Sequence, residues 1–365
     1  MRFLHRIFAI LGERSRRRHW GRLIAVSISA ALGMPLFSVV PVQAGQKTAK
    51  HLLIYTIDVE GGQATLLVAP SGVSMLVDTG WPDNNGRDAK RIEDAMKDAG
   101  IAKIDHLLIT HFHDDHVGGV TNLVERVKVG EFIDHGENRE DSADTRNNYA
   151  AYLKAAQGHP RRIVHPGDTI GIPGIDTIVL TADGDSVASV PGIEPMPNPN
   201  CASEPKWDLD ATENPRSVGI LVTYGKFKFL DLGDLTKPKE VGLVCPNNPI
   251  GRVDLYLVTH HGWDQSNTRA IVDAIHPRVA IMNNGAHKGG SPGPWQTVHD
   301  SPGLEDLWMI HTAEDSDAAH NSPEARIANP RGDGDGAYFK VVASADGSFS
   351  VTNSRTGQTR EYARK

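Results

Sequence analysis

His111, His113, Asp115 and His116 put four potential metal ligands directly behind the apolar run Ile104-Asp105-His106-Leu107-Leu108-Ile109-Thr110. Imidazole nitrogens combined with a carboxylate suit zinc, and also iron or manganese. The run reads as a strand, and alternation along an extended chain sends His111, His113 and Asp115 to one face. A turn at Val117-Gly118-Gly119 can then swing His116 in beside them. The plainer alternative is a polar loop that happens to be rich in His and Asp. Ligand density at the end of one apolar strand weighs against it. The cluster points to metal without naming a reaction.

The elements around it form a repeating pattern. Leu52 to Ile57, Gln63 to Ala69 and Val73 to Asp78 read as strands separated by turns, and Asp88 to Gly100 as an amphipathic helix closed by its glycine. The order recurs from Ser217: strands at Val218 to Tyr224 and Phe227 to Leu232, a helix-like stretch, then Val253 to Thr259 running into His260-His261-Gly262. Leu76-Val77-Asp78-Thr79-Gly80 matches Phe229-Leu230-Asp231-Leu232-Gly233, and each half ends a strand on histidine. Two such halves predict a two-sheet sandwich whose strand ends converge on one site. Tyr338 to Ala343 and Ser348 to Thr352 read as closing strands, after a turn containing Asp333 and Asp335 that lacks the spacing of a calcium loop.

These motifs resemble the metallo-β-lactamase superfamily. His111, His113, Asp115 and His116 are similar to its HxHxDH signature, Asp234 to its metal-bridging aspartate, and His260-His261-Gly262 to its distal histidine motif. The resemblance covers most of the chain after residue 44. It implies an α/β fold (α+β in some schemes), a four-layer αββα sandwich built from two similar halves. Ile57-Asp58-Val59 with Gln63, Leu76 to Gly80, and the His-His-Gly motif resemble one branch in particular, which contains the hydrolase domain of ComEC-type DNA-uptake proteins and bacterial phosphorylcholine esterases. The histidine usually found shortly before the bridging aspartate is absent, and Asn214-Pro215-Arg216-Ser217 stands in its place. The site would be completed by His260, His261 or His287, or would hold one metal tightly and another loosely.

The resemblance implies two divalent ions, zinc foremost, with manganese or iron as alternatives. His111 and His113 would hold one ion, Asp115 and His116 the other, and Asp234 would bridge them. A shared water would then lose its proton near neutral pH and attack a carbonyl or phosphoryl centre. Asp115, Asp234 and His260 are the expected catalytic residues, and His111, His113, Asp115, His116, Asp234 and His261 the expected ligands. Alternation sends adjacent His260 and His261 to opposite faces, and His261 is preferred as ligand because the motif allows a turn at the glycine. His260 would then line the cleft. His287 is a further candidate ligand or substrate contact, with a solvated loop histidine as the alternative. Asp58 and Asp78 stand where they could orient ligand histidines, although Asp78 could instead cap the Thr79-Gly80 turn. Asp114 reads as structural.

Composition limits the rest. The chain has 365 residues, 39% hydrophobic and 23% charged, which suits a globular protein of one large domain or two small ones. Residues 1–44 differ: seven arginines precede an apolar stretch from Leu23 to Val40 that ends at Val42-Gln43-Ala44. This resembles a secretory signal cleaved before Gly45, with a retained anchor as the alternative and Sec export preferred to the twin-arginine route. A periplasmic or secreted hydrolase domain over residues 45–365 is expected. Without the leader the formal charge moves from −7 to −13, since the leader carries seven Arg and one Glu. No basic stripe is left to grip long nucleic acid, so a small-molecule substrate is expected. Cys201 and Cys245 are either a disulfide or two buried thiols.

Segments at about 183–216 and 288–329 read as loop insertions flanking the cleft, the first as a candidate lid. Arg216, Lys288 and the tryptophans within or beside them are candidate contacts for a phosphate or a ring. The expected activity is hydrolysis of a phosphodiester or related small anionic ester, with an amide, lactone or β-lactam as the alternative substrate. A non-catalytic metal- or ligand-binding protein is the rival class, and the complete ligand set argues against it.

Overall fold

Side-chain alternation writes the architecture strand by strand. Along Leu52–Thr56, Leu52 and Ile54 enter one core cluster while Tyr55 enters another on the opposite face. Along Gly219–Tyr224, Ile220 and Val222 point one way and Leu221 the other. Strands that are apolar on both faces must be covered on both faces. The computed structural model describes residues 51–82, 84–331 and 336–365, and these residues fall in one folded unit. The leader at 1–44 and the turn aspartates Asp333 and Asp335 lie outside the described residues.

Two mixed sheets satisfy that requirement. The first has nine strands in the order Thr359–Tyr362, Phe349–Asn353, Phe339–Ala343, Leu52–Thr56, Thr65–Val68, Ser74–Val77, Lys103–Leu108, Lys128–Asp134 and Arg161–Ile163. The second has eight, running Ile327–Asn329, Asp306–His311, Val279–Met282, Leu255–Leu257, Phe227–Asp231, Gly219–Tyr224, Asp176–Ala182 and Asp185–Ser186. One core cluster joins Met75, Val77 and Phe339 of the first sheet to Ile220, Phe229 and Trp308 of the second, so these faces pack together. The outer face of the first sheet is covered by Ile92, Ala95 and Met96 of helix Arg87–Ala99 and by Tyr152 of helix Ala143–Ala156. The second is covered by Leu243, Ile271 and Trp295 from helices Lys237–Val244, Arg269–Ile275 and Pro292–His299. The result is a four-layer αββα sandwich. Among the described residues no helix is long and apolar enough to cross a membrane.

Helix Arg87–Ala99 shows how the sequence places a layer. Ala89, Ile92, Ala95 and Met96 recur at helical spacing and are buried, and Gly100 closes the last turn at φ 71°. Fully burying Ile92 is worth about 1.5–3 kcal/mol. The helix then returns the chain to Lys103–Leu108, which lies parallel to Ser74–Val77 and carries the ligand segment at its C-terminal end.

The two stretches read as insertions are more ordered than their composition suggests. Between 288 and 329 lie helix Pro292–His299 and the wholly buried strand Asp306–His311. Its Leu307-Trp308-Met309-Ile310 core is a short apolar run, obscured in the sequence by Ser301-Pro302-Gly303 before it and Glu314-Asp315-Ser316 after it. Within 183–216, Met196–Pro197 pairs with Asn247–Asn248, and Cys201 is disulfide-bonded to Cys245. The Asn198 amide donates to the carbonyls of Val244 and Ala270. This part of the expected lid is fastened to the second sheet's helices.

Candidate metal centre

Both halves deliver histidine just past a strand end. Lys103–Leu108 and Leu255–Leu257 each stop three residues before a histidine, His111 and His260. Phe112 turns away into the helix layer against Tyr149 and Tyr152, leaving His111 and His113 together. The turn comes earlier than expected, because Asp114–Val117 is already helical. Asp115 and His116 therefore project from a first helical turn, where a carboxylate is favoured by the exposed N–H groups. Asp114 instead accepts a hydrogen bond from Asn148, which fits a structural role.

The hydrogen-bond network assigns each histidine tautomer, and the free nitrogens converge. His116 Nδ1 lies 2.7 Å from Asp78 Oδ2 and donates to it, leaving Nε2 with its lone pair. The Thr110 hydroxyl donates to Asp78 Oδ2 at 2.7 Å and so accepts from His111 Nδ1 at 3.0 Å. His113 Nε2 donates to Glu140 at 2.9 Å. Consequently His111 Nε2 and His113 Nδ1, 3.0 Å apart, face each other as two acceptors. Nearby, Asp115 Oδ2 and Asp234 Oδ1 stand 3.1 and 3.2 Å from His116 Nε2. His261 Nε2 lies 3.2 Å from His116 Nε2 and 3.1 Å from Asp115 Oδ2.

That arrangement fits a cation. Asp115, His116, Asp234 and His261 each offer a buried ligand atom, all within 4.8 Å of one another, and Asp234 Oδ1 has no hydrogen-bond partner. Acceptor facing acceptor in a buried site requires a positive charge or a proton between them. The electrostatics agree. Burial alone would lower the His116 pKa, but Asp234, Asp115 and Asp78 overcome it and raise it well above the usual value. Burial would likewise raise Asp115, yet Lys288 and His116 hold it well below the usual carboxylate range. Asp234 is held low against burial by His116, His260 and His261. His111 is pushed down by burial and by neighbouring His116 and His113.

His260 and His261 both reach the centre, which alternation does not predict. The strand has ended, and both residues take left-handed backbone conformations at φ 55°. Such conformations cost non-glycine residues about 1–3 kcal/mol and gather at functional sites. Gly262, at φ 75°, completes the turn, and a Cβ there would meet the Met282 side chain at 2.7 Å. His260 Nε2 lies 3.3 Å from Asp234 Oδ2. Its Nδ1 donates to Ser266 Oγ at 3.1 Å, because that hydroxyl already donates to Leu235 O at 2.7 Å. Burial pushes the His260 pKa down to about 4, so the ring is neutral at pH 7. Asp234 therefore presents one oxygen to His116 and the other to His260.

The remaining candidates divide. Asp78 is buried against His116, as expected of an orienting group. Asp58 pairs with His311 at 2.8 Å and with Arg91 at 3.2 Å rather than with a ligand histidine. His287 is not brought to the centre: its ring lies on the surface beside Asp315 and Glu314. Where the usual histidine is missing, Ser217 Oγ lies 3.5 Å from His111 Nδ1 and accepts from the Asp234 amide at 3.1 Å. Glu140 and Glu213 escaped the sequence reading, and His135 has only a weak claim there. Glu213 accepts from the backbone of Phe112 and Arg139 and pairs with His135 at 2.9 Å, and its own amide donates to Glu140. No local motif marks these residues.

The metallo-beta-lactamase superfamily profile matches residues 58–203, which contain the whole His111 to His116 segment. Over that stretch the chain is similar to the metallo-β-lactamase superfamily. Members of this superfamily are metal-dependent hydrolases. Recombination protein 2 of Haemophilus influenzae is 25% identical over 247 residues, covering 67% of this chain and 25% of its own length. ComE operon protein 3 of Bacillus subtilis is 25% identical over 190 residues, 51% of this chain and 20% of its own. The chain thus spans about a quarter or less of these two relatives. Among solved structures, the metallo-beta-lactamase fold protein YhfI of Bacillus subtilis is 12% identical and covers 71% of this chain and 96% of its own, with a TM-score of 0.42. The superfamily fold and the ComEC-type likeness read from the sequence both stand.

Proposed function

We propose that this protein is a metallo-β-lactamase superfamily member and an exported metal-dependent hydrolase of a phosphodiester or a related small anionic ester. The observation that carries the reading is the convergence of Asp115 Oδ2, His116 Nε2, Asp234 Oδ1 and His261 Nε2. The facing nitrogens of His111 and His113 supply a second subsite, for two divalent ions in all, zinc foremost. A bound divalent ion would supply Lewis acidity and lower the pKa of water at the site. The chain's own groups then have defined tasks. Asp234 presents Oδ1 to the four-atom subsite and Oδ2 to His260, Asp78 and Glu140 hold the rings of His116 and His113 in ligating tautomers, and neutral His260 offers Nε2 as a proton acceptor beside Asp234.

Several features support the remainder of the reading. The leader and the Cys201–Cys245 disulfide suit an oxidising compartment outside the cytosol. The acidic chain beyond the leader disfavours long nucleic acid and favours a small substrate. To test the reading, the protein reconstituted with zinc, manganese or iron is assayed on bis-p-nitrophenyl phosphate, a chromogenic cephalosporin and a lactone. Turnover of the phosphodiester, abolished by Asp234→Ala, is the expected result. Turnover of the lactone or cephalosporin alone would replace the substrate class, and inactivity of the fully metallated protein on all three would favour a binding role.

A further inference from the structure

Lys288 lies in the centre although its neighbour in sequence, His287, lies outside it. The Lys288 ammonium contacts Asp115 Oδ2, the oxygen that also faces His116 and His261, and donates to Gly61 O at 2.8 Å. Its charge stands 5.3 Å from the Trp81 ring centre and 5.6 Å from that of Trp263. The backbone that carries it is fixed to the site. Gly290 N donates to His261 O at 2.9 Å, and Gly285 N donates to Lys288 O at 2.8 Å. A Cβ on Gly289 would meet His261 O at 2.2 Å, so this turn is packed directly on a ligand residue. The Lys288 side chain is 20% exposed and Trp263 is 41% exposed, which leaves the position open to solvent on one side.

We propose that Lys288 is the specificity-determining residue for substrate charge: it binds the non-bridging oxygen of a phosphodiester, between Trp81 and Trp263. This rests on the hydrolase reading above. Were Asp115 to hold a divalent ion, that carboxylate would be satisfied without the ammonium, which the Gly61 carbonyl would retain at the edge of the centre. The freed N–H groups then face an incoming anion, and charge-assisted bonds of this kind are strong and selective. The two indole faces stabilise the ammonium and wall the approach to either side. A neutral ester gains nothing from the lysine, so Lys288 separates anionic from neutral substrates.

The test uses the metal-loaded full chain and diphenyl phosphate, titrated by calorimetry into wild type, Lys288→Gln and Lys288→Arg, with metal content measured on the same samples. Lys288→Gln is expected to bind at least about tenfold more weakly with unchanged metal content, and Lys288→Arg to stay within about threefold of wild type. In turnover, Lys288→Gln raises KM for bis-p-nitrophenyl phosphate by a larger factor than KM for the neutral p-nitrophenyl acetate. Equal diphenyl phosphate affinity in wild type and Lys288→Gln overturns the assignment. So does a parallel loss of metal, which would make Lys288 a support for Asp115. Wild type that binds diphenyl phosphate through Lys288 yet hydrolyses no ester would sink the hydrolase reading and leave the anion contact standing.

Discussion

Asp78 and His116 are joined by a 2.7 Å contact in which the carboxylate fixes the ring so that Nε2 faces Asp115 and Asp234. Asp78 also accepts from the Thr110 amide at 2.8 Å and from its hydroxyl, so the same carboxylate ties the ligand segment to the neighbouring strand end. Replacing Asp78 by Asn keeps the volume and suits its left-handed backbone at φ 61°. The amide removes the charge that holds the His116 tautomer. Metal affinity, read by competition with a chromogenic chelator, is expected to fall about 10–100-fold with the fold retained. Unchanged affinity would mean that Asp78 only caps its turn.

His260 and His261 separate by function. His261 Nε2 belongs to the four-atom cluster, whereas His260 Nε2 faces only the far oxygen of Asp234. His261→Ala should therefore lower bound metal per chain, while His260→Ala should keep at least one ion and lose mainly kcat. Elemental analysis beside steady-state kinetics distinguishes them, and the reverse pattern would exchange the two roles.

Glu240 predicts a pH dependence remote from the centre. Buried in helix Lys237–Val244, it accepts from the amides of Asn267 and Thr268 at 2.7 and 2.8 Å, and burial raises its pKa from 4.5 to about 7. Below about pH 4.5 both folded and unfolded states carry the proton and the full stability is present. Between 4.5 and 7 the unfolded chain releases it first, so stability falls as pH rises, by on the order of 3 kcal/mol in total. Urea midpoints from pH 5 to 7.5 should decline in wild type relative to Glu240→Gln. Parallel curves would show that Glu240 titrates normally.

The Cys201–Cys245 bond closes a separation of 44 residues, for which the chain-entropy account gives about 4 kcal/mol. Double replacement by Ser should lower the urea midpoint and speed proteolysis between residues 196 and 212. Metal content should not change, since the bond anchors the segment to the second sheet's helices. Coupled loss of metal would show that the segment braces the centre through Glu213.

Legibility followed the range of each interaction. His111, His113, Asp115 and His116 are readable because four ligands follow one apolar strand, and His260 because the second half repeats the first, whereas Asp234 and His261 are reached only through the family resemblance. The helical turn at Asp114–Val117 and the left-handed pair at His260 and His261 are not readable, since both break an alternation that continues only while the strand does. Glu140 lies 27 residues from His113, and Glu213 lies 101 from Phe112; only packing brings them in. The strand Asp306–His311 is hidden by the turn-forming residues around it, and no local signal marks His311, whose partner Asp58 follows a strand of the other sheet. Lys288 was visible as a candidate contact, but its place against Asp115 depends on a turn folded onto His261.

The central claim is that these side chains form a metal centre, and metal stoichiometry tests it most directly. The protein is stripped with chelator, reconstituted with zinc, desalted and measured by elemental analysis beside Asp234→Ala. The account predicts between one and two ions per wild-type chain and a clear loss in the variant. Fewer than one ion per chain after reconstitution, in protein that is still folded, would contradict it.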